Sequence, residues 1–160
     1  MINRRKFIQA SAFTGLATAI GQPLRGNDLH PAIKGKPVVV STWDAGIWAN
    51  KTAWDILSKG GRALDAVEKG VMVTEEEQNC CVGLGANPDR DGFVTLDACI
   101  MDEFSNCGSV AFLERIKHPI AVARRVMEKT PHVMLVGSGA QQFAVAEGFP
   151  LEEQKLSPEA

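Results

Sequence analysis

The spacing of apolar residues changes character several times along this chain, and each change predicts an element. Lys36-Pro37-Val38-Val39-Val40-Ser41-Thr42 is an unbroken β-branched run behind a proline, the pattern of a strand covered on both faces. From Asn50, read as an N-cap, to Lys59, the residues Ala53, Trp54, Ile56 and Leu57 recur at helical spacing, and Gly60-Gly61 closes that helix. Residues 62 to 74 form a second helix with a broad stripe of Ala63, Leu64, Ala66, Val67, Gly70, Val71 and Thr74, predicted to pack on a sheet through small side chains. Glu75-Glu76-Glu77 reads as its solvated exit.

Strict alternation then takes over. In residues 93 to 101, Val94, Leu96, Ala98 and Ile100 share one face, and Phe93, Thr95, Asp97, Cys99 and Met101 the other, a strand with both faces covered and the second less apolar. Asp102 to Asn106 supply a turn, and residues 108 to 112 return as the hairpin partner. Pro119 opens a helix through Ile120, Ala123, Val126 and Met127 that closes before Thr130-Pro131. His132 to Val136 reads as a strand, and Gly137-Ser138-Gly139 leads into a helix from Ala140 to Glu147 with Gly148 behind it. Ser157-Pro158-Glu159-Ala160 has the composition of another helix start with no helix after it, so the chain is expected to be one piece of a longer polypeptide.

The first residues do not belong to this pattern. Arg4, Arg5 and Lys6 precede a mildly apolar stretch, residues 7 to 20, that ends in Ala17-Thr18-Ala19, the layout of a signal peptide. The stretch is diluted by Gln9, Ser11, Thr14, Gly15 and Thr18 and falls short of the roughly 20 strongly apolar residues of a membrane span. Asn3 to Ile8 resembles a twin-arginine export signal, with an ordinary secretory signal as the alternative. The expected organisation is a signal peptide over residues 1–20, a flexible leader over 21–36 rich in Pro and Gly, and a folded portion over 37–160. The protein is then periplasmic or secreted, with no membrane contact after signal removal.

Composition narrows the chemistry. The 160 residues are 45% apolar and 22% charged, with 17 Lys+Arg against 19 Asp+Glu, which excludes a disordered, collagenous or multi-pass membrane chain. Without Arg4, Arg5 and Lys6, 14 cations face 19 acids, and this acidic balance offers no field for nucleic acid. Three His and four Cys occur without Cys-x-x-Cys or His-x-x-x-His spacing, so no metal site is expected. Cys80 and Cys81 are neighbours and a bond between them would be strained. Cys99 and Cys107 lie on facing strands where a bridge is geometrically open, but free thiols are the reading preferred here. Gly137-Ser138-Gly139 partly imitates a dinucleotide loop, yet Gln142 occupies the third glycine position, and a tight turn explains the glycines better. The glycine-rich run from Gly83 to Gly92 is equally a backbone-lined pocket or a plain connection. Asp97, an acid in mid-strand, becomes a site candidate if its face is buried.

Five motifs occur in one order: Ser41-Thr42-Trp43, residues 60 to 68 (GGRALDAVE), Val82-Gly83-Leu84-Gly85 with Pro88-Asp89, residues 95 to 102 (TLDACIMD), and residues 130 to 137 (TPHVMLVG). Together they resemble the α-subunit half of the glycosylasparaginase family, the N4-(β-N-acetylglucosaminyl)-L-asparaginases. The resemblance covers about residues 36 to 150. The Ser-Thr-Trp opening matches that branch rather than the related L-asparaginase and isoaspartyl peptidase branch, which carries a His-Gly-Gly segment there. The resemblance implies part of an N-terminal nucleophile (Ntn) hydrolase, an α/β (α+β) fold of four layers in an αββα sandwich. It further implies a precursor that cuts itself before a threonine, whose hydroxyl then attacks the asparagine side-chain amide while its own α-amine acts as base. That amine titrates at about 7.7 to 8.0, so no cofactor or metal is needed. The implied partners are a β-subunit from the same precursor, a small glyco-asparagine substrate and a second αβ pair in an (αβ)2 dimer.

Three departures accompany the resemblance. The His-Asp-Thr-Ile-Gly segment that holds the nucleophile is absent, so none of Thr42, Thr52, Thr74, Thr95 or Thr130 takes that role, and these residues alone are expected to be inactive. The substrate-gripping Arg and Asp of the β-subunit are absent with it. Cys81 stands where the family has a serine, and Ala45 where it often has phenylalanine. The residues carried over as substrate-binding or nucleophile-supporting are Trp43, Cys81 and Asp97. The rivals are an L-asparaginase or isoaspartyl peptidase of the same superfamily, an exported binding module without chemistry, and a nucleotide-binding half-domain.

Overall fold

The computed structural model describes residues 35–44, 46–77, 81–158 and 160. The signal peptide, nearly all of the leader, Ala45 and Cys80 lie outside the described residues. From Lys36 onward the chain forms one unit, and no described helix is long and apolar enough to cross a membrane.

Helix α1 (Gly46–Leu57) begins four residues before the predicted cap. A tight turn starts it, with the Gly46 N–H donating to the Trp43 carbonyl at 2.8 Å and the Ile47 N–H to that of Asp44 at 3.0 Å. Asn50, expected as the cap, lies inside the helix and donates from Nδ2 to Ser41 Oγ at 2.9 Å. A cap side chain serves whichever end the backbone provides, and here the preceding turn sets that end. The helix stops as predicted, where the Gly61 N–H returns to Ile56 O and the Gly60 N–H to Leu57 O, both at 3.0 Å, a Schellman arrangement.

Helix α2 (Ala63–Glu76) divides its stripe between two neighbours. Gly70 faces α1 against Ala49 and Ala53, whereas Leu64, Val71 and Met72 join the main core. The prediction that the whole stripe packs on the sheet is therefore corrected: its smallest residue admits the close approach of another helix. Glu75, expected at a solvated exit, is only 5% exposed.

The sheet is β1 (Leu96–Met101), β2 (Cys107–Leu113) and β3 (Met134–Val136), in that spatial order, β1 antiparallel and β3 parallel to β2. Asp102 shapes the hairpin turn, its Oδ1 accepting the N–H groups of Phe104 and Asn106, each at 2.9 Å. Helix α3 (Pro119–Lys129) covers one face, and helix α4 (Gly137–Ala146) follows β3 directly. Val110 and Leu113 from the sheet meet Ile120, Val122, Ala123 and Val126 from α3 and Ala140 and Ala144 from α4, all nearly fully buried. The architecture is mixed α/β, a helix layer on a sheet layer.

The opposite face of the sheet is open among the described residues. Asp97, Cys99 and Met101 of β1 and Met134 and Val136 of β3 are exposed, correcting the expectation of two covered faces. The segment Lys36 to Thr42 forms no strand, and Val38 and Val40 are 75% and 84% exposed. β-branched composition favours a strand but cannot make one without an edge to pair with, and none of the described strands pairs with this segment.

One irregularity fixes Asp97. The register slips between Leu96 and Ala98, where β2 inserts an extra residue. Phe112 takes the left-handed conformation, φ 53°, and its N–H donates to Asp97 Oδ1 at 2.9 Å. The mid-strand acid thus has a local task, accepting from an N–H that the ladder leaves unpaired. Ser157, the predicted cap, is buried and makes a single turn to the Ala160 N–H at 3.2 Å, while its own N–H donates to Gly85 O at 3.2 Å.

Two predictions follow from packing. A Cβ at Gly108 would lie 2.6 Å from the Met127 nitrogen and clash with the Ala123 carbonyl, so Gly108→Ala should lower the unfolding free energy by about 2 kcal/mol or more in urea denaturation. At the bulge, Phe112→Val should lower it by about 1–2 kcal/mol, because a β-branched residue is strained at this φ. Phe112→Gly should stay within about 1 kcal/mol of the parent, since relief of strain offsets the chain entropy of glycine. Equal denaturation midpoints for the two variants would contradict a left-handed Phe112.

Candidate active site

The turn that starts α1 also shapes a cavity of about 450 Å³. One side is Ser41, Thr42 and Trp43 with Gly46 and Ala49 of α1; the other is Val71 and Thr74 of α2 with Glu77, Cys81 and Val82 from the loop behind it. Two of the three candidates thus share one wall system. Trp43 is 74% exposed at the mouth, an indole face available to a ligand. The hydroxyls are already oriented, Ser41 Oγ by Asn50 and Thr74 Oγ1 by the Val71 carbonyl at 2.7 Å.

Asp97 stands apart, on the open face of the sheet with its carboxylate on the Phe112 N–H, and it is not among the residues lining this cavity. Ser41, Thr74 and Glu77 were not singled out as site residues. Ser41 had a signal, as the head of the Ser-Thr-Trp motif. Thr74 is read from the sequence as part of a helical stripe and as a threonine that is not the nucleophile, and Glu77 as part of an acidic run.

The walls supply an aromatic surface, hydroxyls, a thiol and one carboxylate, a set suited to holding a small, partly polar ligand. No described histidine lines the cavity. Cys99 and Cys107 carry thiols and are not bridged to each other. No described cluster of His, Cys, Asp and Glu has the geometry for a metal ion.

A second cavity, about 410 Å³, lies at the C-terminal end of α2 and shares Glu77 with the first; Glu75, Glu76, Leu84, Lys117, Glu152 and Lys155 are among the residues that line it. Glu75 spans it to α3: Oε1 accepts the Ile120 N–H at 3.0 Å, and Oε2 lies 3.2 Å from His118 Nδ1. The carboxylate therefore satisfies an orphan donor in the first turn of α3 from outside that helix. Burial pushes the Glu75 carboxyl up to about 7, the Ile120 N–H opposes this, and Glu68 adds to it. Burial also lowers the His118 imidazole, with Glu76 pulling the other way.

Gly137 and Ser138, the first residues of α4, line a small recess of about 280 Å³ with Phe112, Glu114 and Gln141. Gln141 Nε2 donates to the Glu114 carbonyl there at 3.1 Å.

Residues 44–159 match the family model described as Asparaginase. The chain is 57% identical over 155 residues to an N(4)-(beta-N-acetylglucosaminyl)-L-asparaginase of Elizabethkingia miricola, covering 94% of this chain and 45% of that protein. It is 48% identical over 128 residues to the enzyme of the same name from Rattus norvegicus, covering 77% and 37%. A plant-type L-asparaginase of Pyrococcus furiosus is 48% identical over 100 residues, covering 62% and 32%. The chain thus spans less than half the length of these relatives. With its mixed α/β layers and this match across most of its length, the chain belongs to the asparaginase family of Ntn hydrolases, the family that includes the glycosylasparaginases.

Proposed function

We propose that this chain is the exported α-side of an amidohydrolase that cleaves the amide between N-acetylglucosamine and asparagine. The observation that carries the reading is the meeting of Ser41-Thr42-Trp43 and Cys81 around one cavity, supported by the names of the relatives 57% and 48% identical to it. In this reading the nucleophile is a threonine released by self-cleavage on polypeptide outside these 160 residues, and the residues described here form one wall of its pocket.

The division of labour follows from chemistry. The threonine hydroxyl attacks the side-chain carbonyl carbon of the substrate asparagine, and its α-amine takes the hydroxyl proton. The C–N bond breaks with proton return to the departing glycosylamine, and water hydrolyses the resulting ester to free aspartate. Trp43 holds the substrate by its face; the Cys81 thiol, a weaker hydrogen-bond partner than a hydroxyl, borders the new amine. Asp97 enters this reading as a support near the reacting centre, with the open sheet face the place where the β-subunit would lie. On their own the 160 residues are inactive, because loss of a covalent nucleophile costs on the order of 10⁶ in kcat. Export by the twin-arginine-like segment, an (αβ)2 assembly and a periplasmic or secreted location complete the proposal.

A second reading, an L-asparaginase or isoaspartyl peptidase, is favoured by the similarity to the Pyrococcus furiosus protein of that name. Aspartate release by the complete enzyme separates the two: faster turnover of a GlcNAc-asparagine conjugate than of isoaspartyl dipeptides is expected, and the reverse order would transfer the protein to the other branch. In the same assay Trp43→Ala should reduce kcat/KM at least tenfold, about 1.4 kcal/mol; unchanged kinetics would take Trp43 out of the site.

A further inference from the structure

Cys81 and Val82, which wall the candidate site, run straight into the 3-10 turn Gly83–Gly85. That turn rests on the main chain of Glu75: a Cβ at Gly83 would lie 2.5 Å from the Glu75 carbonyl oxygen, and Gly83 itself has φ 73°. The side chain of Glu75 reaches Ile120 and His118 at the start of α3. One residue therefore grips the site-bearing loop with its backbone and the core helix with its carboxyl group.

We propose that Glu75, held by the Ile120 N–H and beside His118, is a latch that positions the Gly83–Gly85 turn, and through it the Cys81–Val82 wall, and that it loosens when Glu75 gives up its proton. Glu75 is a positioning residue here, acting through the turn and not on substrate. Only the meaning of the wall rests on the function proposed above; the latch is read from the contacts.

The surroundings set the direction. Glu68 and Glu76 on α2 and Glu77 behind it face this region, Lys117 and His118 precede α3, Lys69 acts on His118, and Glu152, Glu153 and Lys155 come from the C-terminal segment. Carboxylates outnumber ammonium groups, so a further negative charge at Glu75 is disfavoured beyond its burial. The released proton leaves through the open cavity to water. The folded carboxyl titrates near 7 against 4.5 for the ordinary group, so its stabilising contribution is complete below 4.5 and is lost as pH rises through about 7. His118, lowered from 6.5, works oppositely: stability is gained as pH rises through its folded value towards 6.5.

Hydrogen exchange on the complete protein reads the latch without substrate. Protection of amides 82–86, corrected for intrinsic rates, should fall by about tenfold or more between pH 5.5 and 8.5 in the parent relative to Glu75→Gln, a ratio that cancels the His118 contribution. Amides of β2 should not follow. If Glu75→Gln does not fold, His118→Asn, which leaves only Glu75 titrating in the pair, should show the same fall by itself. Parallel profiles in parent and Glu75→Gln, a flat profile in His118→Asn, or β2 amides falling equally would overturn the latch. Loss of glyco-asparagine hydrolysis with the exchange transition intact would count against the proposed function alone.

Discussion

The approach of helix α3 to strand β2 at Gly108 is the contact on which the rest of the fold depends. With no side chain at that position, the backbone of Ala123 and Met127 comes down onto the strand, and Val110, Leu113, Ile120, Val122, Ala123 and Val126 close into a core with almost no exposed surface. Dense packing of this kind tolerates little added volume. It also fixes where α3 begins, and that start is where Glu75 finds the Ile120 N–H and His118. The position of α2 therefore follows from the position of α3, and the loop behind α2 follows in turn.

The described residues separate a dry core from exposed walls. Beside Gly108, Ile100 and Ala123 are buried and Met127 is half-buried, whereas Trp43 and Cys81 are exposed, as are Val38 and Val40. The uncovered face of the sheet, with Met101, Met134 and Val136 exposed, has the same character. Both surfaces carry apolar side chains in an alternation that normally meets a second layer. In the reading proposed here, the β-side of the enzyme is that layer.

Much of this was legible in the residues because the responsible physics is local. The hairpin from residue 96 to 113, the helix opened by Pro119, the glycine stop at Gly60-Gly61 and the strand-to-helix turn at Gly137 all rest on alternation, helical spacing or a single special residue. Trp43 and Cys81, named from motifs, lie 38 positions apart in sequence, and the motifs alone did not say that they share a cavity. Three readings failed where the answer lay in a distant partner. Asn50 tied itself to Ser41 instead of capping, Glu75 went inward to α3, and the Val38–Val40 run stayed without a strand to pair with.

Most elements, their order and the family can be read along the chain, since periodicity, turn residues and ordered motifs are local. Which charges are buried, and what each polar side chain serves, emerges only when the elements pack together. Glu75 and Glu76 are adjacent and chemically alike, yet one is buried between two helices and the other is exposed. Asp97, a nucleophile-supporting candidate by motif, holds the N–H of a left-handed Phe112 on the neighbouring strand. The cost of burying a charge and the need of an orphan N–H both depend on what lies across space, and neighbours in sequence do not carry that information.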